Sequence, residues 1–193
     1  CMREAVLTLE AGDDGMSVGS ENGELYIESG SIGISAEDDG IHTVGGITLL
    51  AGALDIDAGD DGIHSDSSIS LADGVVLSIS RCYEGIEAPA IDITGGDITV
   101  YGTDDGINAC DNSATGTTPY ISISDGSITS NADGDGIDSN GTVSMSGGTL
   151  VVFGPTSNRD GALDYDISFA MCGGTLIALG ARGMAQAPST LSK

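Results

Sequence analysis

The sequence contains no tryptophan, only 2 phenylalanines, and only 5 lysines and arginines among its 193 residues. Proteins that bind nucleic acid need clusters of basic side chains against the phosphates, so nucleic acid is excluded as a partner. An anionic membrane surface is excluded for the same reason. No apolar run is long enough to cross a bilayer and no signal peptide is present, so we expect no membrane insertion.

Proline and cysteine are also scarce, with 4 residues each. So little proline excludes a proline-rich linker or a collagen-like chain. The cysteines form neither a CxxC pair nor a spacing typical of zinc ligands, so we expect inert thiols. The first residue is Cys1, and repeat-like sequence follows at once, so we interpret residues 1–193 as a single domain cut from a longer secreted protein.

Acidic residues and glycine are abundant by contrast. The chain has 30 Asp and Glu residues and a formal net charge of −25, which makes cations its natural partners. Glycine contributes 31 residues. Most of the hydrophobic residues are Ile, Val, Leu and Ala, the small and β-branched types that strands prefer. We therefore expect a β-rich core.

Glycine followed by an apolar residue recurs along the whole chain, preceded by an acid in every repeat except the last, where Arg182 takes its place. The repeats are about 24 residues apart and are marked by Gly15, Gly40, Gly62, Gly85, Gly106, Gly136, Gly161 and Gly183. Between the marks lie short runs in which apolar and polar residues alternate, as in half-buried strands, separated by Gly-Gly and Asp-Gly turn signals. Each unit can bury its apolar side only by stacking on its neighbours.

These features predict an all-β fold: a right-handed, single-stranded parallel β-helix, built as a three-sided solenoid of about eight coils. Leucine-rich repeats, nonapeptide calcium rolls and left-handed hexapeptide helices have other periods or motifs. Two coils are longer than the rest, at 109–119 and 154–159, and we expect loops there.

Stacking of the coils would place the acids that precede the glycines in one column: Asp14, Asp39, Asp61, Glu84, Asp105, Asp135 and Asp160. Like charges about 5 Å apart repel by roughly 3 kcal/mol at an effective dielectric constant of 20. Exposure to water, Asx-turns or a shared cation could offset this repulsion. Calcium fits because its oxygen ligands lie near 2.4 Å, whereas magnesium would stay bound mainly to water. The candidate Ca²⁺ ligands are Asp13, Asp14, Asp38, Asp39, Asp60, Asp61, Asp104, Asp105, Asn108, Asp135 and Asp138.

His42 and His64 occupy the same place in neighbouring repeats, three residues after Asp39 and Asp61. Such a group could suggest zinc. We prefer the simpler interpretation, two stacked surface histidines, since calcium rarely accepts imidazole.

The Asp-Asp-Gly-Ile-His motif at 38–42 and 60–64, with Asp-Asp-Gly-Ile at 104–107, resembles a known group of proteins. It is similar to the secreted bacterial β-helix family of carbohydrate-binding domain-containing proteins, whose fold is like that of pectate lyases. The resemblance runs over about residues 5–190. It implies binding of acidic sugars and cellulose with bound calcium, and it implies calcium ligands at the pairs 38–39, 60–61 and 104–105. The segment 83–87, Tyr-Glu-Gly-Ile-Glu, departs from the motif.

We therefore predict a non-catalytic, extracellular module, secreted or attached to the cell surface, that binds plant cell-wall polysaccharide. The preferred ligand is polygalacturonate, bound through calcium; cellulose is a further candidate, although aromatic residues are few. One alternative is a calcium-dependent pectate lyase, which would need a base such as Arg3, Arg81, Arg159 or Arg182. The other is a structural adhesin or spacer. We expect a monomer, and the sequence does not indicate which residues contact sugar.

Overall fold

The computed structural model describes residues 1–20, 22–110, 116 and 118–191, and every regular element in that part of the chain is a β-strand. No helix that could span a bilayer is found there. The strands are β1 (Ala5–Ala11), β2 (Met16–Val18), β3 (Leu25–Ile27), β4 (Gly30–Ala36), β5 (Ile41–Thr43), β6 (Ile47–Asp57), β7 (Ile63–Ser65), β8 (Ser68–Arg81), β9 (Ile86–Glu87), β10 (Ala90–Ile93), β11 (Asp97–Gly102), β12 (Ile107–Ala109), β13 (Tyr120–Ile123), β14 (Ser127–Ala132), β15 (Ile137–Ser139), β16 (Thr142–Met145), β17 (Thr149–Phe153), β18 (Ser168–Met171), β19 (Thr175–Leu179) and β20 (Thr190–Leu191).

The strands form a parallel β-solenoid of about eight turns, which confirms the predicted fold class. Each coil crosses three faces. The short face is a six-stranded sheet of β2, β5, β7, β9, β12 and β15. The second face contains β3, β10, β13, β16, β18 and β20, and the third face contains β1, β4, β11, β14, β17 and β19. The long strands β6 and β8 turn from the second face to the third without a break.

Identical residues stack in register along the inside of the solenoid. On the short face Ile41, Ile63, Ile86, Ile107 and Ile137 pair in succession, and each of their side chains is fully buried. Full burial of an isoleucine is worth roughly 1.5–3 kcal/mol. A shift of one residue would turn this column toward water, so the apolar column fixes the register of the polar residues on either side of it.

The glycines after the acids permit close stacking of the coils. A Cβ placed on Gly40 would lie 2.5 Å from the carbonyl oxygen of Gly62, and one on Gly62 would lie 2.6 Å from that of Gly85. Neither glycine has a positive φ. Glycine is therefore required here because the next coil lies against it, and not because the turn needs a left-handed residue.

The seventh repeat differs from the sequence alignment by one residue. Ile137 pairs with Leu163, not with Ala162, and the Asp164 N–H donates to the carbonyl of Ile137. Gly161 then lies beneath Asp135. The prediction that Asp160 continues the column of acids before glycine is therefore wrong, because packing of Leu163 into the core decides the register.

The structure tests only one of the two predicted loops. Within the long repeat at 109–119, residues 111–115 and 117 lie outside the described part of the chain, so the predicted loop there stays a prediction. The second long repeat, 154–159, contains no strand, as expected of a loop. All four cysteines are free thiols.

We expect Gly40→Ala to lower the free energy of unfolding by about 1–3 kcal/mol, since the added methyl group overpacks the contact with Gly62. The melting temperature should fall by about 2–4 °C for each kcal/mol, measured by circular dichroism in chelator. Gly33→Ala is the matched control, because a Cβ there meets nothing within 4 Å. Equal melting temperatures for the two variants would contradict the close-stacking argument.

Candidate functional site

The acidic corner, between the third face and the short face, carries three parallel columns of polar side chains. The inner column, directly before the glycines, contains Asp14, Asp39, Asp61, Glu84, Asp105 and Asp135. The outer column, one residue earlier, contains Asp13, Asp38, Asp60, Tyr83 and Asp104. The strand column, on the short face, contains Ser17, His42, His64, Glu87, Asn108, Asp138 and Asp164.

Carboxylates of the inner column accept hydrogen bonds from the backbone of the following coil. Asp39 Oδ1 accepts the N–H of Asp61 at 2.9 Å, and Asp105 Oδ1 accepts the N–H of Asp135 at 2.7 Å. Asp135 Oδ1 accepts the N–H of Gly161 at 2.6 Å. The predicted role of these acids in their own turns is replaced by a role between coils. One oxygen of each carboxylate is used in this way, and the other faces the strand column or solvent.

At the N-terminal end of the strand column, two histidines lie among the acids. The ring centroids of His42 and His64 are 4.9 Å apart. His64 Nδ1 is 3.2 Å from Asp61 Oδ2, and its hydrogen bond to this carboxylate raises the His64 pKa to about 9. Burial opposes ionisation of Asp61, but hydrogen bonds from His64 and Glu87 outweigh it and lower the Asp61 pKa. Histidine thus neutralises this part of the corner.

Further along the solenoid, the acids have no histidine partner among the described residues. Glu84 accepts a hydrogen bond from the Asn108 side-chain amide at 2.8 Å, but Asn108 Oδ1 has no hydrogen-bond partner in the described part of the chain, although Asn108 is only 7% exposed. Such an orphaned buried acceptor costs about 1–3 kcal/mol. Glu84, Asp104 and Asp105 each bring an oxygen within 4.8 Å of the other two. The oxygens of Glu84, Asp104 and Asp105 are close enough together to be shared by one hard cation.

The pKa values of the carboxyl groups follow their burial. Burial raises the pKa of Asp105 to about 8, and nearby Asp138 and Asp104 add to the rise. The pKa of Glu87 rises to about 8 and those of Asp135 and Asp138 to about 6, with burial the largest cause in each. These shifts measure how poorly the corner tolerates its own negative charge.

The predicted ligand residues lie together at this corner. Two compact groups of three acids consist wholly of predicted ligands: Asp13, Asp14 and Asp38, and Asp38, Asp39 and Asp60. Asp138 repels both Asp105 and Asp135 electrostatically, and the Asp135 N–H donates to Asp105, so these three residues lie in one neighbourhood.

Glu84 was expected in the column of acids before the glycines, but neither Glu84 nor Glu87 was counted among the candidate ligands, because their coil departs from the Asp-Asp-Gly motif. Glu84 joins Asp104 and Asp105, and Glu87 lies within 4.8 Å of Asp61 and His64 through ligand atoms. The register of the isoleucines was the signal that could have found them, since Ile86 stacks between Ile63 and Ile107. Glu84 occupies the position that an aspartate has in the neighbouring coils.

Two of the arginines pair with acids that lie outside the three columns. Arg81 pairs with Asp57 at 2.6 Å on the third face, and Arg3 pairs with Glu28. In the part of the chain that the structure describes, no arginine forms an ion pair with the inner column. The geometry therefore gives no support to an arginine base beside the acids, as the lyase alternative requires.

The fold and the corner define a class: a parallel β-solenoid that displays stacked acidic side chains along one edge. Models of the family described as carbohydrate-binding domain-containing protein match residues 4–88 and 77–170. Together these matches cover most of the chain, and the chain belongs to this family. The description is one of binding and favours a non-catalytic role. Neither a curated protein nor a solved structure matches the chain.

We expect the metal-free protein to lose stability as the pH rises from about 4 to about 8. The raised pKa values of Asp105 and Glu87 mean that the folded chain binds more protons than the unfolded chain over that range. His64 acts in the same direction, since its contribution is complete below about 6.5 and is lost as the pH passes about 9. Asp61 acts oppositely, but only toward acid pH, because its pKa is lowered.

Thermal melts in chelator at several pH values measure this loss. Each unit of pKa displacement is worth about 1.4 kcal/mol, so the melting temperature should fall by on the order of 10 °C between pH 5 and pH 8.5. A maximum of stability at pH 8 in chelator would contradict the expectation.

Proposed function

We propose that the protein binds acidic polysaccharide of the plant cell wall, with polygalacturonate the preferred ligand, through Ca²⁺ held at the acidic corner. The proposal places the protein outside a bacterial cell, secreted or attached to the surface, where its polysaccharide ligand is found. Carbohydrate binding itself follows from the family. The finer choice of an acidic sugar and of calcium depends on the chemistry of the corner.

The observation that carries the proposal is the orphaned Oδ1 of Asn108. This buried amide oxygen lacks a partner among the described residues and lies next to carboxylates with raised pKa values. Both features are expected of a site that binds a cation through oxygen ligands. Asp105, Glu84 and Asp138 are its acidic neighbours. These residues fit calcium, which takes six to eight oxygen ligands in flexible geometry. Magnesium demands a more rigid octahedron and keeps several waters.

Charge decides how such a protein could hold a polyuronate. A chain with a net charge of −25 repels an anionic polymer at long range. Bound Ca²⁺ supplies positive charge to which a uronate carboxylate can bind. The row of acids repeats at each coil, at about 4.8 Å, so it offers successive attachment points along a polymer. Binding should therefore require calcium and weaken in its absence.

We expect Asp105→Asn to weaken Ca²⁺ binding at least tenfold while it raises the melting temperature in chelator. The asparagine keeps the oxygen that accepts the Asp135 N–H but removes a buried charge that repels Asp138. Isothermal titration calorimetry with Ca²⁺ and melts in chelator give the two readouts. Asp97→Asn is the control, because Asp97 is exposed on the third face.

The polysaccharide is tested separately with immobilised polygalacturonate. The wild type should bind with Ca²⁺ and be released by chelator, and Asp105→Asn should bind more weakly than Asp97→Asn. Retention of the wild type in excess chelator would contradict the calcium-dependent mechanism. Formation of unsaturated uronides, followed by ultraviolet absorbance, would instead identify a lyase.

A second surface favours a neutral ligand, cellulose. On the third face, β11, β14, β17 and β19 direct outward the residues Asp97, Thr99, Tyr101, Ser127, Thr129, Asn131, Thr149, Val151, Phe153, Thr175, Ile177 and Leu179. Only Asp97 among them is charged. This C-terminal part of the third face is nearly uncharged, which suits an uncharged polymer.

Two aromatic side chains lie in one line on this sheet. Tyr101 and Phe153 are 38% and 44% exposed and flank Asn131 from either side in the same column. Two coils separate them by roughly 9.6 Å, a distance on the scale of a disaccharide. A groove of about 470 Å³ runs beside Phe153 and Leu179. Flat rings at this spacing suit the apolar faces of alternate sugars in a straight β-linked chain.

We expect the double substitution Tyr101→Ser and Phe153→Ser to reduce binding to microcrystalline cellulose at least tenfold in a pull-down assay, with or without chelator. The loss follows from removal of both stacking surfaces. Val76→Ser is the matched control, since Val76 is an exposed apolar residue on the same face, in the column of Asp97. Equal binding of the double variant and the control would contradict this surface.

A further inference from the structure

The histidine pair at the N-terminal end of the acidic corner has a donor set unlike that of the Asn108 region. His42 on β5 and His64 on β7 pair directly across two parallel strands. Both Nδ1 atoms face one oxygen, Asp39 Oδ2, at 3.9 Å from His42 and 3.7 Å from His64. The other oxygen of Asp39 is already used by the Asp61 N–H. One carboxylate oxygen is thus left between two imidazole nitrogens.

We propose that Asp39, His42 and His64, with Asp14, form a site for a first-row transition-metal dication of the zinc type, separate from the calcium ligands around Asn108. Imidazole suits zinc and its neighbours in the first transition row, whereas calcium prefers oxygen alone. From the sequence, two stacked surface histidines were the preferred interpretation, rather than a zinc site. The arrangement of the nitrogens around Asp39 reverses that preference.

The distances fit such an ion after a small contraction. Zinc binds nitrogen and carboxylate oxygen at about 2.0–2.2 Å, which places tetrahedral donors about 3.4 Å apart. One donor atom from each of Asp39, His42 and His64 lies within 4.8 Å of the other two. The fourth donor is Asp14, whose Oδ2 is 3.4 Å from His42 Nδ1. Asp14 lies outside the compact group of Asp39, His42 and His64, so it would have to move further than they do to complete a tetrahedral set of two nitrogens and two oxygens.

A contact on the far side of His64 supports the same assignment. His64 Nε2 lies 3.5 Å from Asp66 Oδ1. Histidines that bind a metal through one nitrogen usually present the other to a carboxylate, which fixes the ring and strengthens the ligand. Asp61 Oδ2, 3.2 Å from His64 Nδ1, is the competing partner that the metal would replace. The ion would join three successive coils, those of Asp14, Asp39 and His64.

Titration with Zn²⁺ and Co²⁺ in the presence of excess Ca²⁺ tests the site on the whole chain. The wild type should bind one equivalent of Zn²⁺ by calorimetry, and Co²⁺ should give the visible absorption of a four-coordinate complex. The melting temperature should rise with Zn²⁺. His42→Gln should weaken Zn²⁺ binding at least a hundredfold, and Asp138→Asn, the control, should leave it unchanged.

Nitrogen NMR of histidine-labelled wild-type protein needs no variant and reports the ligand atoms directly. Zn²⁺ should shift the Nδ1 resonances of both histidines and leave both rings as Nδ1 ligands. Unshifted resonances, or Zn²⁺ affinity that is equal in the wild type and His42→Gln, would overturn the proposal. Loss of Zn²⁺ binding in Asp138→Asn but not in His42→Gln would assign the ion to the calcium ligands and would also overturn it.

Discussion

Close stacking of the coils at the glycine corner is the constraint on which the rest of the structure depends. The approach of Gly40 to Gly62, too close for any side chain between them, brings the backbones into parallel hydrogen-bonded contact. Burial of one isoleucine per coil beside each glycine then locks the register. Once the stacking and the register are fixed, the acid that occurs once per repeat forms a continuous row of negative charge. The acidic corner is thus a consequence of the way the core packs.

The acids of the inner column have different surroundings near His64 and near Asn108. Near the N-terminus His64 lies among the acids and supplies positive charge, so that the pKa of Asp61 falls. Around Asn108 the pKa of Asp105 rises instead, and one buried oxygen has no partner. One architecture therefore presents mixed nitrogen and oxygen donors at one end and oxygen donors at the other. This difference in donors is the reason to propose different ions for them.

Most of the fold could be predicted from the sequence, because an acid, a glycine and an isoleucine recur at the same spacing in most repeats. The predicted register is wrong by one residue at Asp160. The pairing of Ile137 with the buried Leu163 shows this shift, which the sequence alone does not. The site was predicted less fully. Glu84 was aligned with the other acids but was not counted as a ligand, because its coil has an altered motif and its closeness to Asp104 and Asp105 appears only in three dimensions. Neither the orphaned oxygen of Asn108 nor the line from Tyr101 to Phe153 can be seen in one dimension.

The hydrogen bonds that Asp39, Asp61, Asp105 and Asp135 accept from the backbone of the next coil have a mechanical consequence. Asp39 holds the N–H of Asp61, and Asp105 holds that of Asp135, so each acid is fastened to the coil that follows it. A pull along the solenoid axis would strain these links together with the strand pairing, at the edge where ligand is proposed to attach. Tension on a bound polysaccharide would therefore be spread over several coils.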